Sequence, residues 1–63
     1  MFDTIMEICR GLTQDGSKVF TNTSSNGFGV DVIVKDLFNN IQAIYPNQNP
    51  IDAQNIINQL LGH

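Results

Sequence analysis

Between Val30 and Tyr45, apolar side chains fall at positions 30, 33, 34, 37, 38, 41, 44 and 45. That spacing follows the 3.6-residue period of an α-helix. Asp31, Lys35, Asp36, Asn39, Asn40 and Gln42 lie between them, with only Val32 and Ala43 out of place, so the stretch predicts a helix with one apolar and one solvated face. Pro46 ends it, because proline disfavours helical geometry in the residue before it. A competing pattern is present at the start, where Phe28, Val30, Val32 and Val34 alternate as a half-buried strand would. The helical period is preferred because it runs to Tyr45, whereas the period of two fails at Leu37-Phe38.

A second helix is predicted from Asn49-Pro50-Ile51-Asp52 onward. Asn caps free amides, Pro fits the first helical position, and Asp52 complements the positive end of the helix dipole. Ala53, Ile56, Ile57, Leu60 and Leu61 form its apolar stripe, and Gly62 suits a C-terminal cap. The short link from Pro46 to Asn49 makes residues 30–61 an antiparallel helical hairpin. Phe2, Ile5, Met6, Cys9 and Leu12 also follow helical spacing and predict a short N-terminal helix held by packing on that hairpin. Residues 13–29, rich in Gly, Asp, Ser, Thr and Asn, read as a central loop or a short β-hairpin. The expected fold is therefore mainly α: an N-terminal helix, a central loop or hairpin, and a C-terminal helical hairpin in one 63-residue domain. The alternative is an α+β fold with strands near 18–23 and 28–34.

Composition narrows the function. The chain carries a net charge of −3, with six carboxylates against Arg10, Lys18 and Lys35, and its polar surface is built largely from eight Asn and five Gln. Three cations neutralise about three phosphates at most, so a nucleic-acid binder is not expected, and the same shortage argues against an anionic membrane surface. The helical hairpin is not a DNA-reading helix-turn-helix either, since residues 50–61 hold no Lys or Arg to anchor phosphates. No apolar run approaches the roughly 20 residues of a membrane-spanning helix. Asp3 and Glu7 interrupt what a secretory signal would keep basic and then uncharged, so a cytoplasmic location is expected.

Candidate chemistry is sparse. One Cys and one His cannot supply the convergent ligands of a metal site. Cys9, on the apolar stripe of the first helix, is expected to be a buried packing residue, and His63 a solvated terminus. Asp31 and Lys35, four apart, read as an exposed helical ion pair. Gly27-Phe28-Gly29 lacks the fuller glycine pattern of a phosphate cradle, and Ser24-Ser25 lacks the context of a carrier-protein attachment site. No enzymatic activity and no cofactor are expected.

What remains is apolar surface. Val30, Val34, Leu37, Ile41 and Ile44 satisfy a heptad register, and with Ile57 and Leu60 they make more stripe than two short helices hide in each other. The expectation is a non-enzymatic interaction module that associates with itself, as a homodimer, through these helical stripes. On that reading a carboxylate at position 41 would sit in the core and unfold the chain. The alternative is a small inhibitor or regulator of a larger enzyme, using Phe20 and Phe28 on the central segment as its anchors.

Overall fold

The computed structural model describes residues 7–24 and 27–62. Its elements are β1 (Ile8–Leu12), β2 (Lys18–Thr23), β3 (Val30–Lys35), β4 (Ile41–Gln48) and α1 (Pro50–Leu61). The four strands form an antiparallel meander in the order β1-β2-β3-β4. The fold is thus a sheet with one C-terminal helix, and the mainly α expectation is corrected.

The correction centres on residues 30–45. Instead of one helix they form β3, a turn, and the first part of β4. Leu37 and Phe38, where the alternation breaks, are the turn itself. Asp36 organises it: its Oδ1 accepts from the backbone N–H groups of Phe38 at 2.8 Å and Asn40 at 2.9 Å. Asn39 takes a left-handed conformation with φ 67°, which Asn tolerates better than most side chains. Val30, Val32 and Val34 decide the strand, because β-branched residues pack well on a pleated surface. Pro46 lies in β4, an edge strand, where a missing N–H is tolerated at an irregularity in the ladder. The helical hairpin over 30–61 is therefore absent.

The N-terminal helix is corrected in the same way. Ile8–Leu12 is β1, with a bulge between Cys9 and Gly11 that takes Arg10 out of the backbone register with β2. The earlier part of that expected helix, at Phe2, Ile5 and Met6, lies outside the described residues. The central segment contributes β2 and the turns beside it. The α+β alternative comes nearer, with β2 at 18–23 and β3 overlapping 28–34, but the sheet holds two further strands.

Helix α1 begins and ends at its caps. Asn49 Oδ1 accepts from Asp52 N–H at 2.8 Å, and Gly62, with φ 79°, turns the chain out of the helix. Ala53 and Ile57, four apart, are buried against Val19 and Val32, which are fully enclosed, and Val30, Ile56, Leu60 and Leu61 pack around them. These contacts use one face of the sheet. Gly11 admits the helix at its edge, since a Cβ there would come within 3.2 Å of Leu61 Cδ1.

Candidate interaction surface

Residues directly opposite each other on paired strands share a face, so the register sorts the side chains. Val19, Thr21, Val32, Val34 and Ala43 lie on the helix side. Thr21 is buried and accepts from Arg10 Nε at 2.9 Å, so its hydroxyl is satisfied. The other face carries three rows running across the strands.

The central row is apolar: Cys9 opposes Phe20, Phe20 opposes Ile33, and Ile33 opposes Ile44. Ile33 is buried, Phe20 half-buried, and Ile44 50% exposed. Cys9 is an exposed free thiol, which corrects the expectation of a buried packing residue. Toward the two turns that end in Ser17 and Asn40, the next row holds Leu12, Lys18, Lys35 and Ile41, again in register. Leu12 and Ile41 at its ends are exposed, and its two middle positions are cations. Toward the opposite end, Asn22 opposes Asp31, with Glu7 beside Asn22 just before β1. By strand position the lysines thus stand along one long edge of the apolar row and the carboxylates along the other.

Two interactions fix the charges. Lys35 leans over the Phe20 ring, its Nζ 4.9 Å from the centroid, and reaches Glu7 Oε1 at 2.9 Å. It is not the helical partner of Asp31, from which Ile33 separates it along β3. Asp31 Oδ1 accepts from Ser24 Oγ at 2.6 Å and from Asn47 N–H at 2.9 Å. Ser24, then Asn47, holds the Asp31 carboxyl below the ordinary aspartate value. This carboxylate ties the β2–β3 turn to the bulged part of β4, where Asn47 has φ 60°.

The positions expected to bind a partner divide between the two sides. Phe20, Ile41 and Ile44 come together on the helix-free face, with Leu37, 69% exposed, in the adjoining turn. Val34 and Ile57 are buried on the helix side, where Val30 and Leu60 also pack. They contribute to the core rather than to a surface. Phe28 stands in the β2–β3 turn, 90% exposed, while Phe20 is part of a strand, so the two do not share one loop. Sequence reasoning missed Cys9 and Leu12 as surface positions, and the two charged rows. Their signal was the alternation of Asp31, Ile33 and Lys35 with the three valines.

An open cleft of about 550 Å³ lies at the other layer's end, between α1 and the turn at Thr13. Gln14, Gln42 and Gln59 line it, and its one carboxylate, Asp15, is engaged by Thr13 Oγ1 and by Ser17 N–H. Among the described residues no cluster of three or more His, Cys, Asp or Glu could hold a metal ion. Nor is any described helix long and apolar enough to cross a membrane. No family of known proteins, no curated protein and no solved structure matches the chain.

Proposed function

We propose that this protein acts by binding polypeptide, first of all a second copy of itself, through the helix-free face of its sheet. The observation that supports this is the apolar row across all four strands, Cys9, Phe20, Ile33 and Ile44, flanked by exposed Leu12 and Ile41. An antiparallel sheet of this kind ordinarily keeps one face apolar and gives polar side chains to the other. Here both faces are apolar at the centre, and α1 packs on only one. Contiguous apolar surface rimmed by charge is the usual composition of a protein interface.

Sedimentation equilibrium at micromolar concentration tests the reading, with an expected mass of twice the 7.0 kDa of one chain. Ile44→Asp puts a carboxylate on a half-exposed position outside the core, so it should leave the circular dichroism spectrum unchanged and return the mass to one chain. A wild-type chain that sediments singly at all concentrations contradicts the proposal.

Phe28 favours a second contact, with a larger protein, because it is 90% exposed on the β2–β3 turn, outside the row itself. Phe28→Ala should weaken capture of that protein and leave self-association as it was.

A further inference from the structure

The arrangement of charge on the helix-free face has a handedness that the apolar row alone lacks. By strand position Lys18 and Lys35 stand on one side of the row and Glu7 and Asp31 on the other. The Lys35 ammonium crosses Phe20 to pair with Glu7, so the charges left without an ion pair among the described residues of this face are Lys18 on one side and Asp31 on the other. Two identical sheets that meet face to face are related by a two-fold axis lying in the plane between them. Aligned sheet packing keeps the strand directions of the two layers within about 30° of each other. That leaves two choices for the axis: along the strands, or across them along the apolar row.

The two choices have opposite electrostatics. An axis along the strands, between β2 and β3, keeps each row facing its own kind, so that Lys18 meets the partner's Lys35 and Asn22 meets the partner's Asp31. An axis along the row exchanges the sides. Lys18 then meets the partner's Asn22 and, beside it, the partner's Asp31.

Resting on the self-association proposed above, we infer that two copies pair about an axis along the Phe20–Ile33 row, with the strands of the two sheets antiparallel and the basic side of each copy against the acidic side of the other. Two features fit this complementarity. Lys18 has no ion-pair partner among the described residues, so its charge is available across an interface. Asp31 spends Oδ1 on Ser24 and Asn47, while Oδ2 has no hydrogen bond among the described residues. Opposed rows of this kind fix orientation and suppress the alternative register more than they add affinity.

The axis has a second consequence, because a residue lying on it meets its own copy. Cys9 ends the row on β1, so the two Cys9 thiols face each other across the interface. With the axis along the strands, Cys9 would instead face the partner's Ile44, and the thiols would lie about 14 Å apart sideways, three strand spacings, besides the layer separation.

The native cysteine therefore supplies the test, with the 63-residue chain. A bismaleimide reaching under about 10 Å, the spacing of packed sheets, is expected to link two chains through Cys9 and to do nothing to Cys9→Ser. In sedimentation, Lys18→Glu is expected to raise the dimer dissociation constant by about tenfold or more, and Lys18→Met by less. Raising the salt concentration should weaken the wild-type dimer, a readout that decides the sign even if the Lys18→Glu chain fails to fold. A dimer that is not linked at Cys9, and that tightens with Lys18→Glu or with salt, overturns the axis and leaves self-association standing. A wild-type chain of 7.0 kDa, its face covered by residues 1–6 or by a different polypeptide, overturns both.

Discussion

Aspartates hold the turns of this sheet. Asp15 closes the β1–β2 turn through Thr13 and Ser17, Asp36 closes the β3–β4 turn through Asn40 and Phe38, and Asp31 bridges Ser24 to Asn47. Each carboxyl is lowered from the ordinary 3.8 by the hydrogen bonds it accepts: from the Thr13 hydroxyl for Asp15, the Ser24 hydroxyl for Asp31, and the Asn40 N–H for Asp36. A carboxylate whose folded value lies below its unfolded one stabilises the fold fully above the unfolded value. That contribution is lost as pH falls through the lowered folded value. Stability measured by urea unfolding should therefore hold from neutral pH to the region of 3.8 and decline below it. Asp36→Ala should lower stability at pH 7 and flatten the acid limb. An acid limb unchanged in that variant would show that Asp36 does not organise the turn.

The elements show why some of the chain was legible and some was not. Helix α1 announces itself because its signals are local: Asn49 and Pro50 start it, Gly62 stops it, and its stripe faces one way. The strands do not, because this sheet places apolar side chains on both faces. Val30, Val32 and Val34 point to the helix while Ile33, Ile41 and Ile44 point away, and Leu37 and Phe38 occupy the turn between. Spreading apolar residues over both parities erases the period of two, and the strand-turn-strand sequence then imitates a helical stripe. Cys9 was misplaced for the same reason, since helical spacing from Phe2 put it on a buried stripe. The face it occupies is legible only once β1 is paired with β2. Position 41 separates the two readings. A helical stripe would bury it, whereas in β4 it is 57% exposed. Ile41→Asp should therefore fold, with its circular dichroism retained and amide exchange slow in Val32 to Val34, while self-association weakens. An unfolded variant would count against the assignment of Ile41 to the outer face.

At the scale of the molecule, one helix over a four-stranded sheet gives two layers, and among the described residues no element covers the second face. Small domains bury a low fraction of their surface and often depend on association for stability. The same pattern that hid the strands from sequence reading is what leaves an apolar row exposed, so the misread segment and the candidate interface coincide. The charge on the chain is low, 14% of residues, and most of the described cations and acids of the sheet fall on this face. Association and folding should then be linked, because a partner that binds only the folded chain stabilises it by mass action.

Thermal unfolding at several protein concentrations, with wild type and Ile44→Asp side by side, tests this linkage most directly. The wild-type midpoint should climb as concentration rises, and the Ile44→Asp midpoint should stay level while its low-temperature spectrum remains that of the native sheet and helix. A wild-type midpoint independent of concentration, at the value of the variant, would contradict the helix-free face as a surface by which this protein associates with itself.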